Sequence, residues 1–167
     1  MSNTKFGELG EPREKTEQRV RIAARALGRN NLGHAYGHVS ARVDDKNFLV
    51  CAPKPMGLIT PEDVGTVVPI KGPLPDGVLG EVRCHQQIYE RRNDVNGIAR
   101  TFLRDVMILS TFQRTPKVRM GFASYFAPAP PLWNDPLLLR NDEMAAKLAE
   151  TLGDDRAVVM RGNGCIL

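Results

Sequence analysis

Gly80-Glu81-Val82-Arg83-Cys84-His85 opens the stretch that organises this 167-residue chain, and Gln86-Gln87-Ile88-Tyr89-Glu90-Arg91-Arg92 completes it. Val82, His85, Ile88 and Tyr89 recur at spacings of three and four, so Glu81–Arg92 reads as an amphipathic helix with those four side chains on its inner face. A Gly/Pro-rich loop over Lys71–Gly80 precedes it, and Gly97-Ile98-Ala99-Arg100-Thr101-Phe102 follows as a strand. Glu81 and His85, four residues apart, share one helix face and suit either an acid–base pair or two metal ligands. Their ordinary alternatives are an acid stabilising a helix start and a hydrogen-bonded core histidine.

Working outward, apolar positions between Lys15 and Leu27 fall on one helical face, with Gly28 as the expected stop. His38–Val43 and Phe48–Ala52 read as strands joined by the Asp44–Asn47 turn. Thr60-Pro61-Glu62-Asp63 carries a helix-start pattern, and Thr66–Ile70 is strand-like. Asp105–Phe112 reads as a short helix, and Arg114–Pro131 as a Pro- and aromatic-rich loop. Asn141 or Asp142 caps a helix ending at Leu152, and Arg156–Leu167 gives a strand, a tight turn and an apolar end. Hairpins mixed with helices argue for α/β layers around a mixed sheet. One domain is expected over residues 15–167, after a loose arm over 1–14.

Bulk properties narrow the function. A hydrophobic content of 42% is enough for a packed core. No signal-peptide pattern and no apolar run of membrane-spanning length occurs, which reads as a cytoplasmic protein without a membrane partner. The net charge of +4 is spread among acids rather than gathered in a basic run with aromatics, so nucleic acid is not the expected partner. A small anion met by a few arginines is the expected ligand. Cys51, Cys84 and Cys165 have no paired spacing and read as buried thiols.

Four stretches together resemble the class II aldolase/adducin family. Gly37-His38-Val39-Ser40-Ala41-Arg42 is similar to its Gly-Asn-x-Ser-x-Arg strand, and Leu58-Ile59-Thr60-Pro61-Glu62-Asp63 to its Leu-Thr-Pro-Glu-Asp segment. Glu81 through His85 to Val95 resembles its Glu-x-x-x-His helix, and Val159–Gly164 its late Arg-Gly-His-Gly turn. The resemblance implies a three-layer α/β/α fold with a mixed, largely antiparallel central sheet, a ring-shaped homotetramer, and a chain about forty residues short of the family's usual length. It also implies a divalent metal such as Mn or Zn, held by a Glu, a His-Thr-His strand and a late His. Only Glu81 of that set is present: the strand reads Ala99-Arg100-Thr101 and the late position is Asn163. Hydroxyl donors for a phosphate are replaced by His38, by Ala52-Pro53-Lys54-Pro55 and by Leu79-Gly80, which points to a non-phosphorylated substrate.

Gly121-Phe122, Tyr125-Phe126-Ala127-Pro128 and Pro131-Leu132-Trp133 resemble the branch that decarboxylates aromatic and pyridine dicarboxylates. The reading is therefore a lyase that decarboxylates a small hydroxy-aromatic or hydroxypyridine dicarboxylate. Glu81 and His85 are the catalytic candidates, in acid–base or metal roles. His38, Arg100, Thr101, Tyr125, Arg161 and Asn163 are the substrate-binding candidates, because guanidinium groups fork onto carboxylates and an aromatic wall suits a planar ring. The alternatives are an aldolase-type lyase of a non-phosphorylated substrate and a non-catalytic, adducin-like binding domain.

Overall fold

A computed structural model describes residues 5–6 and 11–167. Most of the expected arm over residues 1–14 lies outside the described residues. Its described parts, β1 (Lys5–Phe6) and β2 (Glu11–Pro12), pair antiparallel, and helix α1 (Arg13–Arg29) already begins at Arg13.

β3 (His38–Arg42) and β4 (Asn47–Val50) form the expected hairpin, with Ser40 opposite Val50. Asp44 closes its turn by accepting from the Lys46 amide and the Asn47 side chain. β5 (Thr66–Pro69) pairs outside β4, and β6 (Gly97–Thr101) pairs with the other edge of β3. β7 (Leu132–Trp133), β8 (Val158–Met160) and β9 (Cys165–Ile166) complete a seven-stranded sheet in the order β5-β4-β3-β6-β9-β8-β7. Every neighbouring pair is antiparallel except β7 with β8, so the sheet is mixed and largely antiparallel.

Side chains alternate across this sheet, and each face has its own core. Val39, Leu49 and Cys51 pack on one face with Val20 and Ala24 of α1. Phe48, Val50, Ile98, Val158 and Ile166 pack on the other with α2 (Arg83–Arg91) and α4 (Asp142–Leu152). The result is the expected three-layer α/β/α arrangement. Arg42 fixes the far end of α2, donating to the carbonyls of Tyr89, Arg92 and Val95.

Two local expectations are corrected. Thr60-Pro61-Glu62-Asp63 starts no helix: the Asp63 carboxylate folds back to accept from the Thr60 amide and hydroxyl, and the chain turns directly into β5. Gly28 does not stop α1, which continues to Arg29. Its role is close packing, since a Cβ there would lie 2.1 Å from the Gly57 amide nitrogen. The short helix after β6 is α3 (Arg104–Thr111), and the segment 114–131 contains a 3-10 turn at Gly121–Phe126.

Candidate functional site

The start of α2 and the end of β6 meet the turn between β8 and β9, and this junction builds a charged cluster. A 3-10 turn over Gly80–Val82 leads into α2 and leaves the Glu81 side chain partly exposed, at 22%. Arg100 lies opposite His38 in the β3–β6 register and has no exposed surface. Its Nε donates to Glu81 Oε2 at 3.3 Å, one terminal nitrogen to the Thr101 carbonyl at 2.7 Å, and the other to Asn163 Oδ1 at 3.0 Å. The guanidinium carbon stands 4.1 Å from the centre of the Phe102 ring, a cation–π contact. Burial lowers the Arg100 pKa, while the Glu81 charge opposes that shift.

Asn163 reaches Arg100 because the turn is forced tight. Gly164 has φ +79°, and a Cβ on it would lie 2.1 Å from the Thr101 carbonyl oxygen. The Asn163 Nδ2 is buried with no hydrogen-bond partner among the described residues.

A second, neutral cluster lies beside the first. His38 and Ser40, two apart on β3, meet His85 and Tyr89, four apart on α2. His38 Nδ1 lies 3.0 Å from His85 Nε2, His85 Nδ1 lies 2.7 Å from Ser40 Oγ, and Ser40 Oγ lies 2.9 Å from the Tyr89 hydroxyl. All four side chains are buried. Burial, reinforced by the Arg100 charge, pushes His85 down to about 3. Burial, then the His85 and Arg100 charges, hold His38 well below the ordinary histidine value. Both rings are therefore neutral near pH 7.

The structure thus unites Glu81, Arg100 and Asn163 in one cluster and His38 and His85 in the other. The remaining sequence candidates stand elsewhere. The Thr101 hydroxyl faces the Cys165 carbonyl at 3.5 Å. Tyr125 is exposed, with the Arg156 guanidinium 5.6 Å from its ring centre. Arg161 donates to Asn134 at 3.4 Å. Arg83, on the same helix as His85, is paired with Asp142. Sequence reading missed Ser40, Tyr89 and Phe102. The first two follow from simple periodicity, two residues from His38 and four from His85.

The metal implied by the resemblance does not fit the groups present. Two histidines separated by one residue lie on one face of a strand. The face of β6 that meets Glu81 carries Arg100, and Phe102 stacks on its guanidinium. Ala99 packs on the opposite, α1 side of the sheet. The sequence register that set Ala99 and Thr101 at the two histidine positions is therefore one residue off, and Arg100-Thr101-Phe102 takes the place of His-Thr-His. Arg100 meets Glu81 and is itself met by an aromatic ring and an amide, and none of the three is the imidazole donor that such a site needs. Among the described residues no group of three or more His, Cys, Asp or Glu side chains could hold a metal ion.

Likewise, no helix among the described residues is long and apolar enough to cross a membrane.

Comparison with known proteins agrees with this architecture. Residues 18–167 match the model of the Class II Aldolase and Adducin N-terminal domain. A curated relative, 3,4-dihydroxyphthalate decarboxylase from Arthrobacter keyseri, is 25% identical over 162 residues, covering 87% of this chain. The matched region spans only 65% of that relative's own length. The crystal structure of L-fuculose-1-phosphate aldolase from Thermus thermophilus superposes with a TM-score of 0.79 at 25% identity, covering 92% of this chain and 78% of that one. Sugar-phosphate aldolase from Thermotoga maritima gives a TM-score of 0.75 at 16% identity, covering 91% and 83%, a likeness of fold. The chain belongs to the class II aldolase and adducin N-terminal domain family.

Proposed function

We propose that this chain is a carbon–carbon lyase that decarboxylates a small hydroxy-aromatic dicarboxylate, using the Arg100 guanidinium as the fixed positive charge of its site. The observation behind this reading is Arg100 itself, immobilised by Glu81, Asn163 and the Thr101 carbonyl where the family would gather metal ligands. The similarity to a 3,4-dihydroxyphthalate decarboxylase supports the substrate class.

When such a substrate loses carbon dioxide, the ring–carboxyl bond breaks and its electron pair stays on the ring, shared with an ortho oxygen. A preorganised cation in a dry site favours that charge. A proton must then reach the ring carbon. Glu81 is the carboxylate of the charged cluster with solvent access, which suits it to take a proton from water and pass it to that carbon. His85, buried and neutral, supports the site from behind rather than titrating in it.

Two other readings have an observation each. The complete burial of Arg100 and both imidazoles favours a non-catalytic, adducin-like domain. The likeness to L-fuculose-1-phosphate aldolase favours an aldolase-type cleavage of a non-phosphorylated substrate. A carbon dioxide release screen over hydroxylated benzene and pyridine dicarboxylates separates them, with a parallel retro-aldol assay and each arm run with and without Mn or Zn. Release without added metal, abolished in Glu81→Gln with the folded circular-dichroism spectrum retained, is the expected result. Aldehyde release alone would favour the aldolase, and silence in every arm the binding domain.

A further inference from the structure

The surface outside both clusters carries a concentration of unopposed charge. No Asp or Glu occurs between Asp105 and Asp135, yet Arg114, Lys117 and Arg119 all lie there. Several cations elsewhere meet acids, as Lys54 meets Asp63, Arg83 Asp142 and Lys147 Glu143. Arg114, Lys117 and Arg119 are exposed, and their side chains have no hydrogen bond or ion pair among the described residues.

The fold gathers these three charges around a hollow. Helix α3 ends at Thr111, and Gln113, at φ +56°, turns the chain away from it. Residues 114–119 then run without helix or strand, and their backbone N–H groups have no hydrogen-bond partner among the described residues. The three cations line a cleft of about 800 Å³, together with Leu109 of α3, Pro116 and Ala129. Clefts that hold a small organic ligand measure roughly 300–1,000 Å³. This one shares no lining residue with the Glu81–Arg100 cluster or with the His38–His85 cluster.

An ordinary solvated basic face accounts poorly for the arrangement. The carboxyl end of α3 favours a nearby cation, but that effect fades beyond the last turn and explains Arg114 at most. Like charges brought to one hollow repel, and an anion between them relieves the repulsion. Two guanidinium groups and an ammonium offer forked and single donors to phosphoryl or carboxyl oxygens. Inorganic phosphate alone would fill little of the cleft and leave its apolar lining against water.

We infer that this cleft binds a small polyanion joined to an apolar body, as in a nucleoside polyphosphate. Arg114, Lys117 and Arg119 hold the charged end, and Leu109, Pro116 and Ala129 meet the body. The site goes beyond the proposed lyase reaction and stands or falls apart from it, because its test needs no turnover.

Isothermal titration calorimetry of the full chain with ATP, in EDTA at low salt, is expected to show saturable one-to-one binding that weakens as salt rises. Inorganic tripolyphosphate, which has the charge without the body, is expected to bind less tightly. The combined Arg114→Gln, Lys117→Gln and Arg119→Gln variant should weaken ATP binding at least about tenfold. Lys117→Gln alone, the mildest change, should show part of that loss with the folded circular-dichroism spectrum retained. A control variant, Arg29→Gln, Lys46→Gln and Arg140→Gln, removes the same charge from exposed positions elsewhere and should leave the affinity within about twofold. No saturable ATP binding, or an equal loss in the two triple variants, overturns the site. Tripolyphosphate binding as tightly as ATP overturns the assignment of the apolar body.

Discussion

Arg100 is a buried cation whose partners are all provided by the fold: a carboxylate, a carbonyl, an amide oxygen and an aromatic face. Its removal leaves Glu81 facing a cavity and Asn163 with neither polar end matched, so Arg100→Ala is a stability variant as well as a site variant. Loss of about 3 kcal/mol is expected from breaking such a pair, measured by urea unfolding. The histidines set the pH response. His85 is held down to about 3 when folded and titrates near the ordinary value, about 6.5, when unfolded. Below that unfolded value the unfolded chain binds more protons than the folded one. Stability is therefore intact above about pH 6.5 and falls as the pH drops toward 3, with a slope approaching about 1.4 kcal/mol per pH unit from this one residue. His38 shifts in the same direction and steepens the fall. Urea midpoints across this range check it, and a His85→Gln variant should show a shallower slope.

The elements that carry these side chains were largely legible in the sequence. The inner face of α2, with His85, Ile88 and Tyr89, followed from helical spacing, and the β3–β4 hairpin from alternation around the Asp44 turn. The Thr60-Pro61 helix start was not, because a carboxylate at Asp63 can cap a turn as readily as a helix. The convergence on Arg100 was hidden for a different reason. It depends on which face of β6 meets Glu81, and a one-residue shift in register exchanges the faces. The tight β8–β9 turn is the element most sensitive to change. Gly164→Ala forces a side chain into a positive-φ position and against the Thr101 carbonyl, so it should cost roughly 3 kcal/mol and release Asn163 from Arg100. Chemical denaturation reads the first effect. Asn141→Ala, which removes only the side-chain cap accepting from the Met144 amide, is the mild control, at about 1 kcal/mol.

At the scale of the whole molecule, the seven-stranded sheet keeps the family's architecture while the chemistry at its centre has changed. The strand that would bring imidazoles to Glu81 brings a guanidinium and a phenyl ring, and the late turn brings an amide. The same positions explain why the resemblance identified the fold correctly yet implied a metal that the donor set does not suit. Substitutions at Arg100, Phe102 and Asn163 leave the backbone pairing of β6, β8 and β9 in place. In the proposed reaction Arg100, rather than a divalent ion, supplies the positive charge of this site. The metal content of the purified chain, after incubation with Mn or Zn and gel filtration, tests that claim most directly. Far less than one metal ion per chain is expected; one tightly held divalent ion per chain would contradict it.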